Sequence, residues 1–181
     1  MNTTNYINYF RGLAISHSQL LHNTASETGD APVGTKHFAR FSADEVITGL
    51  RTKLSFPALM VENYEIKTHG ENMLAVRSSY FGAFSIFASA NPEDYNEVEA
   101  AYDLAEKILY DVLAQMYQDH YGPDADACET PLKSIDFLKL MISPVGPVFN
   151  QEFGWRCEFE FNLNNTPLIT TKPADGVFIN P

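Results

Sequence analysis

The sequence predicts a mixed α/β (α+β) domain, in which a mostly antiparallel sheet of about four strands packs against one long helix, with an additional helix at the N-terminus. Three observations carry this expectation. Residues 154–163 alternate large apolar with polar side chains, so Trp155, Cys157, Phe159, Phe161 and Leu163 fall on one face of a strand and Arg156, Glu158, Glu160 and Asn162 on the other. Residues 91–119 set Val98, Tyr102, Ala105, Ile108, Leu109, Val112, Leu113 and Met116 in one helical stripe, opposite Asp103, Glu106, Lys107 and Gln118. Residues 58–66 and 73–88 read as two strands, separated by turn formers at 68–72.

Each element follows in order. Residues 5–22 carry Tyr6, Tyr9, Phe10, Leu13, His17, Leu20 and Leu21 near helical spacing, which predicts an amphipathic helix ended by Asn23 and Thr24. Residues 25–35 are small, polar and rich in turn formers, and they exceed what a connection needs, so a mobile loop containing Asp30 is expected to reach a neighbour. Ser42 and Glu45 have capping-box spacing, and Val46, Leu50 and Leu54 continue a short helix that ends before Pro57.

The two β runs that follow predict a hairpin. In the second, Leu74, Val76, Tyr80, Phe84 and Ile86 share one side, while Arg77, Ser79, Phe81 and Ser85 share the other, and Gly82 marks a bulge or bend. Asn91 as cap, Pro92 in the first turn, and the acids Glu93 and Asp94 start the long helix. Beyond the break after Tyr121, a third strand is expected at 135–142, a turn at Pro144-Val145-Gly146-Pro147, and the fourth strand at 153–163. Residues 164–181, with three prolines and Phe178, predict an extended C-terminal arm after a single domain at 1–163.

Composition narrows the function. The 181 residues are 45% hydrophobic, enough for one core, and the formal charge of -11 repels phosphate backbones, which argues against charge-driven nucleic-acid binding. Cys128 and Cys157 are too few for a disulfide framework, and Cys157 on an apolar strand face reads as a small hydrophobe. Neither a basic-then-apolar leader nor a run of about 18 apolar residues occurs, so synthesis in the cytoplasm without membrane insertion is expected.

Catalytic constellations are missing from the sequence. His17 and His22 are five apart, off the spacing that aligns ligands on a helix, and His120 beside Asp119 lacks a third partner. No Gly-x-Ser-x-Gly or Walker-type loop occurs. Glu158 and Glu160 lie about 7 Å apart on one strand face. Paired-carboxylate catalysis is therefore sterically conceivable, but a charged strand face more often stays solvated or meets a partner. The 13 Phe and 9 Tyr mostly fall on core faces, although the aromatic first helix could equally bury against another subunit.

The order helix, loop, short helix, two strands, long helix, two strands, closing on Gly154-Trp155-Arg156-Cys157-Glu158-Phe159-Glu160-Phe161, resembles the tail-terminator and neck proteins of tailed bacteriophages and related contractile injection systems. The resemblance covers residues 5–163, and the strand at 153–161 and the capped helix from Pro92 match best. It implies a noncatalytic virion protein that forms a homo-oligomeric ring, usually a hexamer, stops tail-tube growth and joins the tail to the head connector. Its partners would be copies of itself and tail-tube, sheath or head-connector proteins, with genomic DNA at most passing through the lumen and with no cofactor, metal or membrane. Arg156, Glu158, Glu160, Asp30 and Phe178 are the candidate interface residues. The alternatives are a head-completion or sheath-capping subunit and, in a different class, a small-ligand-binding domain or a hydrolase using Glu158 and Glu160.

Overall fold

A computed structural model describes residues 3–28, 35–41, 54–69, 77–122, 135–148 and 151–163. Its elements are α1 (Thr3–Ser16), α2 (Ala25–Thr28), β1 (Phe38–Phe41), β2 (Ala58–Glu62), β3 (Glu65–His69), β4 (Arg77–Ser89), α3 (Tyr95–Tyr121), a 3-10 turn (Phe137–Lys139), β5 (Met141–Val148) and β6 (Glu152–Leu163). The fold is the expected α/β class, with a mostly antiparallel sheet of six strands instead of about four. The sheet order is β1-β2-β4-β6-β5, β3 joins β4 beyond the end of β2, and among the described strands only β1–β2 is parallel.

Helices α1 and α3 cover one face of the sheet. Tyr6, Phe10, Leu13, Ile108, Leu109, Val112 and Met116 meet Tyr80, Phe84, Ile86, Cys157, Phe159 and Phe161 in the main core. The ring pairs Phe10–Phe84, Phe10–Phe159 and Tyr80–Phe161 have centroids 5.4, 6.0 and 5.2 Å apart, within the range where aromatic contacts add to area burial. Trp155 is only partly buried, and its Nε1 donates to the Tyr102 carbonyl at 3.2 Å, tying β6 to α3. Cys157 is buried, as a small hydrophobe would be, and burial followed by the nearby Glu158 charge pushes its thiol up to about 12.

Several boundaries differ from expectation for local reasons. The first helix ends at Ser16, where the hydroxyl folds back onto the Gly12 and Leu13 carbonyls. Leu21 then takes a positive φ of 47°, Leu20 turns into the core and Leu21 stays exposed. Asp94, not Asn91, caps α3, with its carboxylate accepting from the Asn96 and Glu97 N–H groups. Asn91 instead forms the turn before it, accepting from the Glu93 N–H at 3.1 Å.

The third strand expected at 135–142 resolves into an isolated Ile135–Phe161 bridge, the 3-10 turn and the start of β5. Pro144 and Pro147 do not form a turn between strands; they lie inside β5. This is an edge strand, where a missing N–H leaves no ladder bond unmade, and its register breaks between Val145 and Val148 around Gly146, whose φ is 146°. Four residues form β1, a strand absent from the expected order. Within the segment expected as a loop, Ala25–Thr28 is a helical turn. Residues 29–34 of that loop, including Asp30, lie outside the described residues. So do residues 42–53 of the helix expected from Ser42 and the arm carrying Phe178, while Leu54, Ser55 and Phe56, expected at the end of that helix, are not helical.

Gly82 does not bulge against β6, since β4 and β6 pair in one unbroken register from Ser78↔Leu163 to Ser89↔Glu152. It is a point of close approach. A Cβ there would sit 2.7 Å from both Phe159 Cζ and the Tyr6 hydroxyl. The bulge lies on the opposite side of β4: Val61 pairs with Phe84 and Glu65 with Phe81, so three residues, Glu62, Asn63 and Tyr64, face two.

Candidate functional site

That extra residue inverts the alternation along the β2–β3 chain. Before it, Leu59 and Val61 face the helices and Met60 and Glu62 face away; after it, Tyr64 packs against the core while Glu65 and Lys67 line the far face. The result gathers Glu62, Glu65 and Lys67 beside Phe81, Ala83, Met141, Arg156, Glu158 and Glu160 in a groove of about 510 Å³. No described residue lies over this groove as a further layer. The second face is not uniformly polar, however. Its other end holds a small apolar cluster of Ala39, Leu54, Ala58, Met60 and Phe87, with Phe56, Val145 and Val148 against it.

Arg156 organises the groove. It pairs across β4 with Ser85, and its neighbour on the same face, Glu158, pairs with Ala83. Both partners are small and buried, so the guanidinium crosses β4 to reach Glu62 on β2. Nε donates to Glu62 Oε1 at 2.6 Å, Nη2 donates to Glu62 Oε2 at 3.0 Å, and Nη1 donates to Glu158. Two parallel bonds from one planar fork fix the side chain flat on the sheet. The Glu62 hydrogen bond is the main reason the guanidinium's affinity for its proton rises further.

A second cation stands at the rim. Lys139 Nζ lies 3.2 Å from Asp136 and 3.6 Å from Glu160, and the Asp136 hydrogen bond raises its pKa. Lys67 places its ammonium 4.7 Å from the Phe81 ring centre, a cation–π contact. Met141, 55% exposed, gives the groove an apolar edge beside Lys139.

Three of the five predicted site residues, Arg156, Glu158 and Glu160, therefore do come together, but each charge is met within the chain. Glu158 belongs to Arg156 and Glu160 to Lys139, an arrangement that does not share one proton between two carboxylates. Glu62, Lys67 and Lys139 were not singled out in the sequence. Glu62 shares a face with Met60 by simple alternation, and only the β2-β4-β6 strand order reveals its role; the bulge is what brings Lys67 to the same face. Among the described residues no group of three or more His, Cys, Asp or Glu side chains could hold a metal ion, and no helix is long and apolar enough to cross a membrane.

The histidines have separate structural partners. His17 Nε2 lies 3.4 Å from Asp111 on α3, His22 Nε2 lies 2.9 Å from Glu27 on α2, and His37 Nδ1 lies 2.8 Å from the Pro57 carbonyl. Asp119, adjacent to His120, accepts from the Tyr9 hydroxyl at 2.8 Å and from Gln115 at 2.7 Å. His120 itself lies against Tyr121 and Phe137. No protein-family model matches the chain, and no curated protein matches it in sequence.

Proposed function

We propose that this protein is a noncatalytic assembly subunit, a tail-terminator or neck protein of a tailed bacteriophage or related injection machine, which works as a ring in the virion. The observation that carries this reading is the asymmetry of the sheet. Helices cover one face, while the other presents a shallow charged groove, lined by four carboxylates and three cations, with Met141 at its edge. A rigid two-layer body with a flat polar surface can serve as a building block for a closed ring, and paired charges on that surface select partners more than they add affinity. Glu158 and Glu160 are the interface carboxylates on this reading, with Arg156 holding Glu158 in place. The formal charge of -11 suits a lumen through which DNA passes without adhering.

Light scattering and negative-stain microscopy on the purified chain test the proposal. Closed rings that bind the ends of tail tubes are the expected result; a monodisperse monomer at high concentration that also ignores tail tubes overturns it. Rings that bind heads or sheath instead would indicate a head-completion or sheath-capping subunit. The groove volume of about 510 Å³ supports a second reading, a small-ligand-binding domain or hydrolase. A copurifying ligand, or an activity lost in the Glu158→Gln/Glu160→Gln double variant, would favour it.

A further inference from the structure

Two hollows on opposite faces of the sheet carry unmatched charge of opposite sign. In the groove, Glu62, Glu65, Glu158 and Glu160 meet Lys67, Lys139 and Arg156, one carboxylate in excess, and Asp136 at 3.2 Å from Lys139 Nζ deepens the imbalance. Arg156 is matched with Glu62 and Glu158, Lys139 with Asp136 and Glu160, and Lys67 leans over the Phe81 ring. Glu65 is exposed and, among the described residues, has no ion-pair partner.

The second hollow, of about 490 Å³, lies on the helix side, where α1 passes β1. Its lining is Thr3, Thr4, Ile7, Asn8, Arg11 and Arg40, with two guanidiniums and no carboxylate, and α1 has no acidic residue along its length. Strand alternation puts Arg40 there: Phe38 enters the helix-side core, Ala39 joins the cluster on the far face, and Arg40 turns back toward α1. Arg11 is held within the chain, since Nε donates to Glu27 at 2.8 Å, Nη1 donates to Asn8, and the guanidinium lies 5.6 Å from the centre of the Phe38 ring. Arg40 is exposed and has no ion-pair partner among the described residues.

Resting on the ring reading above, we propose that the charged groove of one subunit receives the Arg40 side of a second copy of this chain, with Arg40 meeting Glu65. Charge selects this pairing over its alternatives. Groove against groove would set excess carboxylates against their like, and hollow against hollow would oppose guanidiniums, whereas groove against hollow matches the one free charge on each. Because the two surfaces lie on opposite faces of the sheet, the contact is head-to-tail. Each added copy leaves one groove and one Arg40 side open, and only closure of the ring uses up both. An exposed ion pair adds little affinity by itself, so Glu65 and Arg40 act chiefly by choosing the partner surface and its register.

Charge reversal with complementation, read by sedimentation velocity on the full chain at about 0.1 M salt, tests the pairing. Glu65→Arg and Arg40→Glu, each shown to be folded by circular dichroism, should each raise the dissociation constant of the subunit contact about tenfold or more, because each sets like charges together. Mixing the two variants should restore assembly: the reversed groove of one fits the reversed side of the other, and their unreversed surfaces fit in turn. The double reversal in one chain should restore it as well. Assembly unchanged in either single variant, or a mixture no better than its components, overturns the pairing and leaves the ring reading standing. An unmodified chain that stays monomeric at high concentration overturns both. Should either reversal fail to fold, Glu65→Gln and Arg40→Gln decide: effects on assembly that do not add when combined support the contact, and additive effects overturn it.

Discussion

The two faces of β4 and β6 use the same ladder and the same alternation, yet they are held in different ways. On the helix side, Phe84, Phe159 and Phe161 are fully enclosed, and neighbouring rings and aliphatic side chains fill the space between sheet and helices. On the other side, Arg156 lies flat over Ala83 and Ser85 and is held by Glu62 and Glu158. Burial of large apolar surface stabilises by about 1.5–3 kcal/mol per side chain, whereas partly exposed ion pairs contribute about 0–1 kcal/mol. The helix-side face therefore determines whether the chain folds, and the groove face contributes little to that stability.

The largest expected effect would break both faces at once. Gly154→Ala places a Cβ 1.8 Å from the Ile86 carbonyl oxygen, a backbone atom that cannot move without separating β6 from β4. Loss of more than about 4 kcal/mol, or no folded protein, is expected in urea titration. Normal stability would show that the two strands pair less closely than described.

Phe159→Ala should follow at about 3–5 kcal/mol, because it empties a site enclosed by Phe10, Phe84 and Phe161. Equal losses from Phe159→Ala and Arg156→Met would erase the contrast between the faces. A double-mutant cycle on Arg156→Met and Glu62→Gln should return a coupling of only about 0.5–1 kcal/mol, shrinking as salt rises to about 1 M. Coupling above that, insensitive to salt, would make the groove part of the stabilising core.

The smallest effect is expected at Tyr6. Its hydroxyl is buried beside Gly82, near the Ala83 amide, and no described group meets it with hydrogen-bond geometry; burial raises its pKa well above the ordinary phenol value. Tyr6→Phe removes an unsatisfied polar atom and keeps the ring contacts with Phe10 and Tyr64, so stability should change by less than about 1 kcal/mol or improve. A large loss would place a strong partner on that oxygen.

Much of the helix-side face was legible in advance. The alternation of Cys157, Phe159 and Phe161 and the stripe from Ala105 to Met116 each repeat with the period of their element, and period alone assigns a face. The groove was half legible. Arg156, Glu158 and Glu160 could be placed on one face, but their partners could not be seen. Glu62 follows the simple alternation of β2, but only the sheet order sets it two strands from Arg156, and Glu65 and Lys67 join the groove only because one extra residue in β2–β3 inverts the alternation, a bulge that leaves no periodic mark in so short a run. Pro144 and Pro147 misled for a related reason: proline reads as a turn until the strand is known to lie at an edge.

By itself, then, the sequence determined the fold class, the long helix, the face that closing strand β6 buries and the absence of recognised catalytic motifs, because each is written in local periodicity or short motifs. Tertiary structure alone decided the sheet order, the parallel β1, the β2–β3 bulge, the reach of Arg156 to Glu62 and the contacts of His22 with His37 and Glu27. Those features depend on which distant segments pair and in what register, and long-range pairing is set by the packing of the whole core, not by the spacing of residues along any one element.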